Sequence, residues 1–191
     1  MIALVIGLLL FLGSHSVRFL ADDWRSRQVE RFGLRVWKLG YSVVSLIGLV
    51  LIIWGVGLTQ TSGPFFWVLP YSAFPIISAI MLLAIIFVVA AYSPRNIFKA
   101  YLHHPLIAGV GLWAFAHLVA SGRVASMLLF ASFLLWAIAA FIYARRRDQR
   151  QEKQYASGLM GTVISIVLGV LVWAAFITQL HTRLIGIPLI M

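Results

Sequence analysis

The chain has 191 residues, of which 62% are hydrophobic and 10% charged, where soluble domains run about 45–50% apolar and about 25% charged. A soluble globule is excluded, and the bilayer is the solvent in which the sequence must be read. Fifteen Lys and Arg against five Asp and Glu give a net charge of +10, and there is no cysteine, which removes disulfides, thiolate metal sites and thiol nucleophiles.

Apolar runs occupy residues 2–20, 40–58, 74–92, 104–120, 124–144 and 159–180. Each approaches the roughly 20 residues that cross about 30 Å of hydrocarbon as a helix. The expected fold is therefore all-α: one polytopic membrane domain over residues 1–191 with six transmembrane helices. The first run has no basic leader and no small-residue cleavage site before Asp22, so it reads as a helix and not as a signal peptide. Alternating the ends puts thirteen of the fifteen Lys and Arg on one side. Cytoplasmic loops retain positive charge, so both termini are expected to be periplasmic or otherwise extracytoplasmic and the basic loops cytoplasmic.

Residues 21–38 (ADDWRSRQVERFGLRVWK) interleave charge with Trp24, Val29, Phe32 and Trp37 and read as an amphipathic segment on the membrane surface. Residues 59–73 carry no charge but have Phe65, Phe66 and Trp67 in a row, with Pro64 and Pro70. That composition suits an interfacial or re-entrant loop with aromatics at headgroup level. The run RRRDQRQEK at 145–153 is a topology signal that meets anionic lipid rather than nucleic acid. Recurrent glycines allow close helix approach.

Ionisable groups within apolar helices are functional candidates by default. His15, Arg18 and Asp22 are spaced i, i+3, i+7, a polar stripe on one helix face in which Arg18 can pair with Asp22. The string HHPLIAGVGLWAFAHLVASG (103–122) puts Pro105 where a first-turn proline is tolerated, so a helix starts near His104. Thirteen residues separate His104 from His117, about 140° around the axis and about 20 Å along it. One straight helix cannot bring both to a small ligand. Histidines on different helices, with no cysteine and no membrane carboxylate, suit haem better than a tetrahedral zinc or di-iron site, and interhelical hydrogen bonding is the structural alternative.

The strings GLLLFLGSHSVRFL (7–20), the pattern from Arg25 to Gly55 and HPLIAGVGLWAFAHLVASG (104–122) together resemble the NnrU family of bacterial membrane proteins, whose name comes from an association with nitrite and nitric oxide metabolism. The family is in turn similar to the plant 15-cis-zeta-carotene isomerase, which holds haem b. Its ligand histidines lie in a His-Ser motif, matching His15-Ser16, and in a Trp-Cys-x-Ala-His motif, matching Trp113 to His117. The resemblance implies haem b with His15 and His117 as axial ligands to the iron. It also implies, as an alternative, a cis-trans isomerase acting on a hydrophobic isoprenoid; a non-catalytic membrane partner or assembly factor for a respiratory enzyme is the alternative from another class. The relative's cysteine is replaced here by Ala114, so ligand exchange through a thiolate is not available to this chain. On straight helices His15 and His117 differ in depth by roughly 10 Å, and His104 matches the depth of His15, making it a rival ligand.

Overall fold

The computed structural model describes residues 1–59 and 65–186. Helix α1 (Ile2–Leu20) is followed by α2 (Asp22–Gly57), a short strand β1 (Phe65–Val68), α3 (Phe74–Tyr92), α4 (Ile97–Leu102), α5 (Pro105–Ala120), a strand β2 (Ser121–Arg123), α6 (Val124–Arg150) and α7 (Leu159–Ala175). The last continues through a wider π-helical turn, Phe176–Leu180, into α8 (His181–Ile185). Each predicted apolar run falls on a helix, but α2 begins at Asp22, well before residue 40, and α6 continues past residue 144 to Arg150, both through charged sequence.

Among the described residues five helical stretches are long and apolar enough to cross a membrane: Ile2–Leu20, Asp22–Gly57, Tyr71–Tyr92, Val124–Arg150 and Leu159–Ile185. Helix α5 is apolar but has 16 residues, about 24 Å of rise. The helices make this an integral membrane protein of the all-α class. Among the described residues there is one small strand pair: β1 and β2 run antiparallel, so part of the uncharged 59–73 segment forms a strand where the composition suggests only a loop. Pro64 lies outside the described residues.

The chain forms two compact units. The first comprises Met1–Val68 and Ser121–Trp136. Its centre is the crossing of α1 and α2, where glycine removes the side chains that would hold the backbones apart. A Cβ on Gly55 would stand 2.5 Å from the Leu4 nitrogen, and one on Gly48 would stand 2.7 Å from the Phe11 nitrogen. Leu4, Leu8 and Ile52 fill the contact together with Ala125 and Leu129 of α6. Gly55→Leu is therefore expected to cost at least the roughly 1–3 kcal/mol typical of overpacking, because the obstructing atoms are backbone. Thermal unfolding in detergent reads this as a lowered midpoint, whereas the same change at Gly57, whose Cβ position is open, should leave the midpoint in place.

Helix α2 is not one rod. Gly33 has φ 83° and ψ 155°, a backbone conformation glycine adopts without the steric cost a Cβ brings. The break separates an amphipathic arm, residues 22–32, from the apolar part beginning at residue 34. Trp24 on the arm meets Trp37 beyond the break edge to face, with ring centres 5.5 Å apart. In the same unit, Arg123 places its guanidinium 4.0 Å from the centre of the Phe65 ring, and Gly122 lies against the Trp67 backbone.

The second unit comprises Leu69–Ala120 and the chain from Ala137 onward. Here α3 is the central helix, packed on α5 and α7. Gly109 admits the backbone of Ala84 and Gly169 admits Ile86, and the Trp173 indole donates to the Ser78 carbonyl at 3.1 Å. The turn after α3 is pinned by Asn96, which is fully buried. Its amide donates to the carbonyls of Ala90 and Pro94, and its oxygen accepts the Lys99 N–H at 2.9 Å as the cap of α4. Burying this amide costs little because each contact is a made hydrogen bond.

Candidate functional site

His15 sits on α1 in the first unit, half-buried among aromatic rings. The centres of Phe11, Tyr41 and Trp136 lie 4.3, 5.2 and 6.1 Å from its own. Its Nδ1 is 2.7 Å from the Phe11 carbonyl oxygen one turn back. A carbonyl can only accept, so the proton is on Nδ1 and the lone pair is on Nε2. Ser14 donates to the same carbonyl at 2.8 Å and meets Ser45 of α2 at 3.0 Å. The small hydroxyls thus tie the helix pair together beside the imidazole. Nearby, the Trp136 indole N–H is buried without a hydrogen-bond partner among the described residues.

His117, on α5 in the second unit, repeats this device. Its Nδ1 lies 2.9 Å from the carbonyl oxygen of Trp113, whose ring is 5.4 Å away. The same logic assigns the proton to Nδ1 and the lone pair to Nε2. His181, at the start of α8 just past the π-helical turn, is within electrostatic reach of His117, a pairing that sequence spacing does not reveal.

The polar stripe predicted along α1 stops short. Helix α1 ends at Leu20, and Ala21 breaks the helical path with φ −147° and ψ 47°. Asp22 therefore opens α2 and lies 3.8 Å from Arg25, in place of the predicted pairing with Arg18. Arg18 instead lines a cleft with His15, Arg25, Lys38 and Tyr41.

His104 has a different setting. Pro105 is the first residue of α5, as expected, and His104 precedes it. Its Nε2 is 3.0 Å from Oδ2 of Asp148 near the end of α6, and the Nδ1 of His103 is 3.5 Å from the same oxygen. The Tyr155 hydroxyl donates to that oxygen at 2.9 Å and its ring stacks near His103, with centres 4.8 Å apart. Asp148 is only 1% exposed. His103 itself has φ 62°, a left-handed conformation uncommon for a residue with a Cβ. Sequence spacing does not reveal this cluster, because Asp148 stands inside a run of arginines that reads as a topology signal. The lone carboxylate within RRRDQRQEK, opposite two adjacent histidines at a helix start, is the clue it offered.

His104 stands at the very edge of its apolar stretch, just before α5 starts at Pro105, and Asp148 lies in the charged end of α6 that follows Ala144. Burial lowers the pKa of His104, and the nearby carboxylate opposes that shift without overcoming it. Burial pushes Asp148 up, but the Tyr155 hydrogen bond and the neighbouring His104 and Lys153 outweigh it and hold the carboxyl below its ordinary range. Among the described residues no group of three or more His, Asp or Glu is arranged to hold a bare metal ion.

A family model described as NnrU protein matches residues 3–189, nearly the whole chain. The chain belongs to the NnrU family. No curated protein and no solved structure matches it significantly. Within this NnrU chain, the two histidines that the motifs single out, His15 and His117, both have rings oriented by a carbonyl four residues earlier on the same helix.

Proposed function

We propose that this NnrU protein is a haem protein of the bacterial inner membrane, with His15 and His117 as the axial ligands of a b-type haem. The reading rests on one observation: both imidazoles donate from Nδ1 to a backbone carbonyl of their own helix, at 2.7 and 2.9 Å, and so carry the lone pair on Nε2. A metal-ligating histidine ordinarily donates its other ring N–H to a carboxylate, carbonyl or water, which fixes the tautomer and strengthens the donor nitrogen. The donor chemistry fits as well, since an iron porphyrin needs only axial ligands from the protein, and no protein-built metal cluster is required.

His104 suits the role less well, because its Nε2 is already directed at the Asp148 carboxylate at 3.0 Å. Haem would supply one-electron and diatomic-gas chemistry, in keeping with the association with nitric oxide metabolism that the family resemblance implies. The chain's own residues orient the imidazoles through Phe11 and Trp113 and set His15 among aromatic rings. With six spans, α5 included, the basic loops face the cytoplasm and both termini the periplasm.

Titration of the detergent-purified apoprotein with haemin tests the reading. A sharp Soret band that saturates at one haem per chain is expected. A broad band that grows without saturation is the signature of haem partitioning into the micelle and would contradict specific ligation.

A further inference from the structure

Two adjoining cavities lie in the first unit between α1 and the broken helix α2. One, of about 280 Å³, is lined by His15 and by three cations, Arg18, Arg25 and Lys38. The other, of about 410 Å³, is mostly apolar and is lined by Leu9, Leu10 and Val44, with Trp24 from the arm. They share Ser14, Val17, Trp37 and Tyr41 in their walls, so a positively charged space and an apolar one lie side by side. The break at Gly33 produces it: the arm before the break brings Arg25 and Trp24 to the wall that Trp37, Lys38 and Tyr41 form beyond it.

The charge in this space is unbalanced. Arg25 has a carboxylate partner in Asp22, at 3.8 Å, while no carboxylate contributes to the lining of either cavity. Three cations converging without a lining anion repel one another, and an anion placed among them relieves that repulsion while gaining charge-assisted hydrogen bonds. An apolar extension of the same molecule displaces water from the second cavity, at about 25 cal/mol per Å² of apolar surface removed from water.

We infer that this double cavity is a binding site for an acidic amphiphile, with its carboxylate or phosphate held by Arg18, Arg25 and Lys38 and its apolar body lying along Leu9, Leu10 and Val44. The inference does not depend on haem being bound. The acidic group has two sources, the headgroup of an anionic phospholipid or the acid side chains of a porphyrin, and the two share this recognition chemistry.

Trp24 and Trp37 in the walls provide the readout. The full-length protein, reconstituted into nanodiscs, is titrated with phosphatidylglycerol or phosphatidylcholine carrying brominated acyl chains, and tryptophan quenching is followed. In a parallel arm the detergent-solubilised protein is titrated with haemin and with haemin dimethyl ester, which lacks free acid groups. Arg18→Gln with Lys38→Gln is compared with the charge-preserving pair Arg18→Lys and Lys38→Arg, which controls for folding.

For a lipid source, bromophosphatidylglycerol quenches at least about tenfold more tightly than bromophosphatidylcholine, a preference the Gln pair loses and the charge-preserving pair retains. For a porphyrin source, the free acid binds at least about tenfold more tightly than the diester, with the same dependence on Arg18 and Lys38. Each factor of ten corresponds to about 1.4 kcal/mol. Equal quenching by the two lipids together with equal binding of the two porphyrins overturns the inference, as does an acid preference that survives in the Gln pair. Loss of porphyrin binding with the lipid preference intact would count against the haem assignment alone.

Discussion

His15→Ala is expected to abolish saturable haem binding while leaving the helix pair folded. The substitution removes the Nε2 donor and the ring packed between Phe11 and Tyr41, but not the glycine crossing of α1 and α2 or the Ser14–Ser45 contact. Losing a mere outer-shell partner of a metal ligand typically costs about 10–100-fold in affinity, so losing the ligand itself should exceed that range. Haem content after purification, with circular dichroism to verify the helices, reads the result. A variant that retains its stoichiometric Soret band would remove His15 from the coordination sphere. His104→Ala should leave haem content unchanged, since its ring is turned to Asp148.

Asp148→Ala is expected to produce the largest loss of stability of any single change at the basic end of the second unit. The carboxylate is buried and takes the Tyr155 hydroxyl, with His103 and His104 directed at the same oxygen. Removing this shared acceptor leaves buried donors unsatisfied, each at a cost of about 1–3 kcal/mol. The pH dependence has a definite sign. The pKa values of both His104 and Asp148 are lower in the folded chain than their ordinary values, so in the affected range the unfolded chain binds more protons and acid destabilises the fold. The histidine contribution is fully present above its unfolded pKa, near 6.5, and fades as the pH falls below it. The carboxylate contribution begins to fade only below about 4. Unfolding midpoints measured from pH 7.5 to 5 should therefore fall for the native protein, and His104→Gln should flatten that fall. A native midpoint that does not change over this range would contradict the account.

Much of the fold is legible in the sequence because the signal is long: six apolar runs lie where the helices lie, and Pro105 marks the first turn of α5. What escapes is local geometry. The arm of α2 reads as an amphipathic surface segment, yet only a glycine at φ 83° tells that it folds back to line a cleft with α1. A periodic stripe from His15 to Asp22 presumes one continuous helix, and Ala21 ends it. The strand pair of Phe65–Val68 with Ser121–Arg123 joins segments more than fifty residues apart, and nothing in its short runs announces the partner. Of the candidate histidines, composition shows only that they are buried among apolar neighbours. The tautomer of each, set by carbonyls of Phe11 and Trp113, and the engagement of His104 with Asp148 depend on ring orientation, which spacing along a helix does not specify.

The central claim is that His15 and His117 hold one haem iron between them. Low-temperature electron paramagnetic resonance of the oxidised, haem-loaded protein, recorded for the native chain and for His117→Ala, tests it most directly. The account expects a low-spin ferric signal of two imidazole ligands in the native chain, converted to a high-spin signal when His117 is removed. A native signal that is high-spin, or a low-spin signal that persists in His117→Ala, would contradict it.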